Sequence, residues 1–271
     1  MLTNLKEYLK PNSLKEAWGI YLKDPEHTLF STGGLSTALR EDERTQIVLD
    51  LKGLLPNQLE DKEDHIFIGG NMTINEVLNE LGNHDLSQVL KQVATHQIRN
   101  MASISGSIAQ KYGWSDIITA LVAYKADVLL YTDKGQTNLP IEEYLSSKVP
   151  SIVLGVSIKK AYKFGSFHYI SRTDYDVSQF NFYLCACVEN GRILEAGISY
   201  GARPGYAKSF VEVEEMLKGL AVNELVGKTD KILGRVENAK VSTGFGLSQE
   251  YRQELLKVYL KRTFKVLSET S

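Results

Sequence analysis

The chain has few cysteines and almost no excess of charge. Its 271 residues include two cysteines, Cys185 and Cys187, and 31 basic side chains stand against 33 acidic ones, so the formal net charge is −2. Proteins that bind nucleic acids normally have a basic excess, which disfavours that class here. Zinc and iron–sulfur centres normally need three or four ligands, and this pair supplies two. We therefore interpret both cysteines as small buried side chains on one face of a strand, and we predict no metal site.

Long apolar runs and the common catalytic motifs are also missing. No run approaches the roughly 20 residues needed to span a bilayer. The N-terminus, MLTNLKEYLKP, lacks the long apolar core of a secretory signal, so we expect a cytoplasmic protein that does not enter a membrane. The sequence contains no G-x-S-x-G elbow, no H-x-x-x-H pair, no P-loop and no G-x-G-x-x-G between a strand and a helix. We therefore predict no catalytic side chain and no Rossmann domain.

The hydrophobic periodicity predicts an α+β protein. Helices and short strands alternate up to about residue 150, then longer strands dominate, and three helices follow. Capping boxes are predicted at Thr73–Glu76 and Ser209–Glu212, because each segment has Ser or Thr three residues before Glu. Asn190-Gly191 between two strand-like runs predicts a hairpin. The charged segment 57–64 is predicted to be an exposed turn.

One stretch, Thr95–Ala109, is rich in small residues and lies between two predicted helices. Its serines and glycine over Ser103–Ser107 predict a loop rather than a good helix. Small residues leave backbone N–H groups uncovered, and glycine lets successive N–H groups point into one anion-binding concavity. A second small-residue loop, Ser31–Ser36, lies upstream. Our hypothesis is that the two loops hold the pyrophosphate of one dinucleotide, and the alternative is a pair of glycine-rich turns.

Several segments resemble the FAD-binding medium subunit of the molybdenum hydroxylases, the xanthine dehydrogenase and carbon monoxide dehydrogenase family. Residues 32–36 (TGGLS) are similar to the family's A-G-G-T-D loop, and Ile68-Gly69-Gly70 with Thr73 to its I-G-A-x-x-T segment. Residues 97–109 (QIRNMASISGSIA) resemble Q-I-R-N-x-A-T-I-G-G-N-I-A, which is the most specific part of the match. Residues 171–176 (SRTDYD) resemble its S-R-R-x-x-D region.

The resemblance implies a two-lobed FAD-binding fold of the vanillyl-alcohol oxidase (PCMH) type. Residues 1–56 and 57–160 are expected to form its two subdomains. Residues 161–271 are expected to form a C-terminal antiparallel sheet-and-helix domain of the CO dehydrogenase flavoprotein type.

The resemblance also implies a set of FAD contacts. Gly33, Gly34 and Gly106 would let N–H groups approach the pyrophosphate, and serine hydroxyls would add donors. Asp116 would accept hydrogen bonds from ribityl or sugar hydroxyls. The expected contact residues are Thr32, Gly33, Gly34, Leu35, Ser36, Ser103, Ile104, Ser105, Gly106, Ser107, Asp116, Leu130 and His168.

Two of these assignments carry a further interpretation. Leu130 would pack near the flavin or adenine. His168 falls where some relatives have a lysine near the flavin. The alternative interpretation is that His168 is an exposed strand residue. Ser105 and Ser107 depart from the family's Gly and Asn.

By resemblance, the protein is the flavoprotein subunit of a molybdenum hydroxylase complex. Electrons would leave a molybdenum-binding large subunit, cross the [2Fe–2S] clusters of a small subunit and reach FAD, which passes them to NAD⁺ or another acceptor. The alternative, motivated by the serines of the central loop, is a flavin-less paralogue with a structural or assembly role. A stand-alone FAD oxidoreductase is a third possibility, for which the sequence offers no substrate base.

Overall fold

The computed structural model describes residues 2–35, 42–201, 205–241, 243 and 246–269. Its N-terminal part forms a three-stranded parallel sheet with a helix packed against it. The elements are β1 (Glu7–Leu9), α1 (Leu14–Tyr21), β2 (Thr28–Ser31) and β3 (Ile47–Asp50). β3 is the central strand, with β1 on one side and β2 on the other. Trp18 of α1 stacks on Phe30 of β2 with ring centroids 6.0 Å apart, which fixes the helix over the sheet.

The middle of the chain forms a five-stranded antiparallel sheet in the order β4–β5–β8–β6–β7. Its strands are β4 (Leu59–Asp61), β5 (His65–Gly69), β6 (Asp127–Thr132), β7 (Gly135–Pro140) and β8 (Ile152–Lys159). The prediction of an exposed turn over 57–64 is wrong for β4. That segment is a short charged edge strand whose Leu59 is paired with Ile68, and charged side chains suit an exposed sheet edge.

In the described part of the chain, six helices accompany this sheet. They are α2 (Ile74–Leu81), α3 (Leu86–Gln92), α4 (His96–Arg99), α5 (Ile104–Ala109), α6 (Asp116–Ala123) and α7 (Ile141–Ser146). The capping box of α2 is confirmed: Thr73 Oγ1 accepts the N–H of Glu76 at 3.2 Å, and Glu76 Oε2 accepts the N–H of Thr73 at 2.7 Å. Every residue of α6 after Asp116 is buried, so this helix forms the centre of the core.

The C-terminal part is a four-stranded antiparallel sheet in the order β12–β11–β10–β9. Its elements are β9 (Phe164–Ile170), β10 (Phe180–Glu189), β11 (Arg192–Tyr200), β12 (Lys208–Ser209), α8 (Val211–Leu217), α9 (Leu225–Leu233) and α10 (Gln249–Glu269). Short 3₁₀ turns flank α9. One face of β10 and β11 packs on α6, and α10 packs on β9 and β10. The predicted hairpin is confirmed, since Asn190 and Gly191 have φ values of 50° and 70°.

The capping box predicted at Ser209–Glu212 is wrong. The residue before α8 is Phe210, and its side chain makes no capping bond. Ser209 instead donates from its N–H and its hydroxyl to the two carboxylate oxygens of Glu142, both at 3.0 Å. This long-range pair connects the C-terminal part to α7, and such pairs are invisible in a local motif.

Both cysteines are free thiols on β10. Cys185 is fully buried, and its thiol donates to the carbonyl of Ala123 at 3.3 Å. Within the described ranges no group of three His, Cys, Asp or Glu side chains is arranged to hold a metal ion. The described helices also include none that is long and apolar enough to cross a membrane.

Candidate cofactor site

A cleft of about 320 Å³ opens between the N-terminal sheet, the middle sheet and the segment that precedes β10. Its walls are the loop after β2, the α4–α5 region, the start of α6 and the segment 175–178 that leads into β10. The volume lies within the range of roughly 300–1,000 Å³ typical of cofactor sites. The lining is mostly apolar with a few convergent polar groups, which is the usual character of such a site.

The loop after β2 presents free backbone donors to this cleft. Gly33 and Gly34 line it, and among the described residues no acceptor takes their N–H groups. Gly34 has a φ of +73°, a conformation that costs a residue with a side chain about 1–2 kcal/mol. A Cβ atom on Gly33 would overlap the carbonyl oxygen of Met101. Both positions therefore need glycine, one for its dihedral angle and one for close contact with the second loop.

A pair of hydroxyls joins the two predicted loops. Thr32 Oγ1 and Ser103 Oγ are 2.6 Å apart, although 71 residues separate them in the chain. Ser103 Oγ also accepts the N–H of Gly106 at 3.1 Å. The two hydroxyls carry two protons and share one hydrogen bond, so one proton stays available to a third acceptor. A Cβ atom on Gly106 would approach both oxygens, at 3.1 and 3.4 Å.

The prediction that residues 95–109 form a loop is wrong in part, because the stretch contains the two short helices α4 and α5. Ser103 caps α5, and the N–H groups of Ile104 and Ser105 donate to the carbonyls of Met72 and Gly70, both at 2.9 Å. Ser107 donates from its hydroxyl to the carbonyl of Ser103 at 2.8 Å. The start of this helix is therefore pinned to the segment after β5, and its backbone donors are already used.

Asp116, the first residue of α6, presents a carboxylate to the opposite wall. Its Oδ1 accepts from Asn181 Nδ2 at 2.5 Å, and the hydroxyl of Ser178 bonds to the same carboxylate. Burial raises the pKa of Asp116, and these two hydrogen bonds oppose the rise. The N-terminal end of α6 also favours the ionised form.

The structure brings most of the expected contact residues together and leaves some apart. Ser36 lies outside the described residues. Ile104 and Leu130 are buried in the central core rather than in the lining of the cleft. The lining includes Thr32, Gly33, Gly34, Leu35, Ser103, Ser105, Gly106, Ser107 and Asp116.

His168 is neither exposed nor part of the lining. It is half-buried between β9 and α10, where its ring stacks on Tyr259 at 5.0 Å and its Nε2 lies 3.1 Å from Thr263 Oγ1. Burial, together with the charge of Arg262, lowers the pKa of His168. Strand side chains alternate between faces, so its neighbour Tyr169 lies on the other face and donates to Gln92 of the lining at 2.7 Å.

The sequence arguments missed several lining residues. Tyr112 and Trp114 stack with centroids 4.5 Å apart, and Tyr175 is 71% exposed at the mouth. Arg172 donates to Asp176 at 2.7 Å beside it. Arg172, Tyr175 and Asp176 all belong to the SRTDYD segment. That segment resembles the family, but no FAD contact was predicted from it.

Arg99 of the QIRN motif bonds to the backbone of the cleft wall. Its guanidinium donates to the carbonyls of Lys91, Val93 and Ala94 at 3.1, 2.9 and 2.7 Å. These carbonyls end α3, where helices leave acceptors unpaired. Arg99 thereby shapes the wall that Val93 and Ala94 contribute.

Comparison with known families identifies the fold. Residues 3–157, more than half of the chain, match the family model described as the FAD binding domain in molybdopterin dehydrogenase. The chain belongs to this family. Residues 165–267 match the CO dehydrogenase flavoprotein C-terminal domain. The resemblance inferred from the motifs is therefore confirmed, as is the expected order of an α+β FAD-binding part and a C-terminal antiparallel-sheet domain.

Solved structures share this fold at low sequence identity. Reconstituted CO dehydrogenase from Oligotropha carboxidovorans matches with a TM-score of 0.87 and 17% identity over 100% of both chains. Quinoline 2-oxidoreductase from Pseudomonas putida 86 matches with 0.84 and 18% over 100% of this chain and 99% of the other. CO dehydrogenase from Hydrogenophaga pseudoflava, in a form lacking the Mo-pyranopterin moiety, matches with 0.84 and 17% over 97% and 96%. No curated protein sequence matches the chain.

Family membership makes this chain an FAD-binding flavoprotein of the molybdenum hydroxylase type. The cleft fits that cofactor on its own geometry. It has the free N–H groups of Gly33 and Gly34 and a spare hydroxyl proton for an anion. It also has a carboxylate acceptor and apolar walls.

Proposed function

We propose that the protein is the electron-transferring FAD subunit of a molybdenum hydroxylase complex, with the cleft as its FAD site. The observation that carries the proposal is the convergence of unengaged backbone donors, the Thr32–Ser103 hydroxyl pair and the Asp116 carboxylate around one cleft. Bound flavin would supply the redox chemistry, accepting electrons and passing them on. The chain's own task is to hold and orient it.

Each polar group has a distinct role in this proposal. The N–H groups of Gly33 and Gly34 would donate to the pyrophosphate, together with the spare proton of the hydroxyl pair. Asp116 would accept hydrogen bonds from ribityl or sugar hydroxyls. The apolar lining, including Ile98 and Ile152, excludes water and strengthens these bonds by lowering the local dielectric.

The partners and the acceptor belong to the same proposal. One of the matched structures is a Cu,Mo-CO dehydrogenase, and the matched family model describes the FAD binding domain in molybdopterin dehydrogenase. By analogy, a molybdenum-binding large subunit and a [2Fe–2S] small subunit deliver electrons to the flavin, and NAD⁺ or another acceptor removes them. Exposed Met101, Tyr112 and Tyr175 at the mouth of the cleft support access by a partner there, since exposed apolar patches mark interaction sites.

A flavin titration tests the proposal. The purified protein is expected to be yellow, or to become yellow when FAD is added, and to oxidise NADH with an artificial acceptor. FAD should bind more tightly than FMN and riboflavin, because only FAD carries the pyrophosphate and adenosine that the two loops would hold.

A colourless protein that takes up no FAD would contradict the proposal and favour the flavin-less alternative. The geometry of the central loop does not favour that alternative. Ser105 has a negative φ within α5, so replacing the family's glycine with serine introduces no backbone strain.

A further inference from the structure

Asn181 lies on the C-terminal sheet and reaches the wall of the cleft. It is fully buried on β10. Its Nδ2 donates to Asp116 Oδ1 at 2.5 Å and to the carbonyl of Trp114 at 3.1 Å. Its Oδ1 accepts from Thr119 Oγ1 at 2.9 Å. Both ends of the amide are engaged, and the two oxygen acceptors and one hydroxyl donor define which end is the nitrogen.

The surroundings leave this amide no other orientation. Gly201 follows β11, and its N–H donates to the carbonyl of Asn181 at 3.0 Å. A Cβ atom on Gly201 would overlap Asn181 Oδ1 and Thr119 Oγ1. Gly201 thus lets the end of β11 approach closely, and the side chain of Asn181 is held between β11 and α6.

We propose that Asn181 is a positioning residue of the FAD site: it fixes the Asp116 carboxylate at the wall of the cleft, so that the C-terminal domain completes the cofactor site. Asn181 bonds Oδ1, and Asp116 keeps acceptor capacity for a ligand hydroxyl. The inference rests on the role proposed above for Asp116.

The Asn181 amide should affect how FAD binding depends on pH. Burial raises the pKa of Asp116, and donation from Ser178 and Asn181 holds it lower than burial alone would. Loss of the Asn181 amide should therefore raise the pKa of Asp116, and its carboxylate should protonate at higher pH.

Few other charges face this carboxylate. Tyr169 lies near it: burial raises the pKa of the Tyr169 phenol, and the charges of Asp174 and Asp116 add to the rise. Asp176 lines the same cleft, where Arg172 bonds to it. Among the described residues no cation contacts Asp116, so the two neutral donors dominate its stabilisation.

The experiment is a set of FAD titrations on the full chain from about pH 5 to about pH 8, with flavin fluorescence as the readout. Asn181→Leu keeps the size of the side chain and removes its donors. We expect about tenfold weaker FAD binding at neutral pH, the factor for one hydrogen bond to a charged group. We also expect the loss of affinity on acidification to begin at higher pH. Ser178→Ala, a milder change that tests the same point if Asn181→Leu does not fold, should shift the profile in the same direction by less.

Ser199→Ala is the matched control. Ser199 lies on β11 at the same interface and donates to the carbonyl of Thr119, without contacting Asp116. This variant should be less stable but keep the wild-type pH profile. An equal shift in Ser199→Ala, or unshifted profiles in Asn181→Leu and Ser178→Ala, would overturn the inference.

The Asp116→Asn variant distinguishes a failure of the role proposed for Asn181 from a failure of the role proposed for Asp116. If Asp116→Asn binds FAD with the wild-type affinity and pH profile, the proposed role of Asp116 fails, and the inference fails with it. If Asp116→Asn abolishes the pH dependence while Asn181→Leu leaves it unchanged, the role of Asp116 stands and only the role of Asn181 fails.

Discussion

The two loops that form one side of the cleft have opposite hydrogen-bonding states. In the first, Gly33 and Gly34 have N–H groups that no described acceptor takes. In the second, the N–H groups of Ile104, Ser105 and Gly106 already donate within the protein, to two backbone carbonyls and to the hydroxyl of Ser103. The first loop therefore supplies backbone donors, and the second supplies a rigid support with hydroxyl groups.

This difference indicates how the proposed site would hold an anion with neutral donors. Among the described lining residues there is no Lys, Arg or His side chain. The pyrophosphate would depend on neutral donors, which are strong only when they are held in place before the ligand arrives. The second loop provides that order, because its tight contact with Gly33 and its bond to Thr32 fix the position of the first.

The largest effect is expected from Gly33→Ala. The new Cβ would overlap the carbonyl oxygen of Met101, so the first loop must move away from the second. Such overpacking costs about 1–3 kcal/mol, which corresponds to roughly 5- to 150-fold in FAD affinity if the donors move with it. Isothermal titration calorimetry with FAD measures the loss of affinity.

Gly19→Ala is the matched control for Gly33→Ala. Gly19 lies in α1 with no atom near its added Cβ, so alanine there should leave FAD affinity unchanged and increase stability by about 0.5–1 kcal/mol. Unchanged FAD binding in Gly33→Ala would mean that the contact between the loops does not set the site.

The hydroxyl pair is expected to have an intermediate effect. Thr32→Val keeps the shape of the side chain and removes the bond to Ser103, and the loss of about 1 kcal/mol should weaken FAD binding about fivefold. Ser103→Ala should do the same and also destabilise α5 by about 1 kcal/mol, because it removes the helix cap.

The double variant distinguishes joint from separate action. If the pair acts as a unit, Thr32→Val should add little to the affinity loss of Ser103→Ala. Fully additive losses would show that each hydroxyl acts alone, and the link between the loops would then have no role in binding.

The sequence predicted local features well and long-range contacts poorly. The capping box at Thr73 and the Asn190-Gly191 hairpin are both present, because each depends on neighbouring residues. The two small-residue segments were also found from local composition and do meet at one cleft, although the second contains two short helices rather than a loop.

What the sequence could not predict depends on pairs far apart in the chain. Ser209 does not cap a helix as predicted, because it bonds to Glu142, which lies 67 residues away. The position of His168 depended on which face of β9 meets α10, and a shift of one residue reverses the face. The contact of Asn181 with Asp116 likewise spans two domains.

The smallest effect is expected from Ser105→Gly, which restores the glycine of the family motif. Ser105 lies in α5 with negative φ, is buried, and donates its N–H to Gly70 at 2.9 Å. Its backbone therefore needs no glycine, and the substitution should lower stability in urea by about 0.5–1 kcal/mol through added chain entropy. FAD affinity should stay within about twofold, less than the effect of one hydrogen bond. Markedly tighter binding in Ser105→Gly would instead show that the serine obstructs the cofactor, and that the second loop contacts the pyrophosphate as closely as the first.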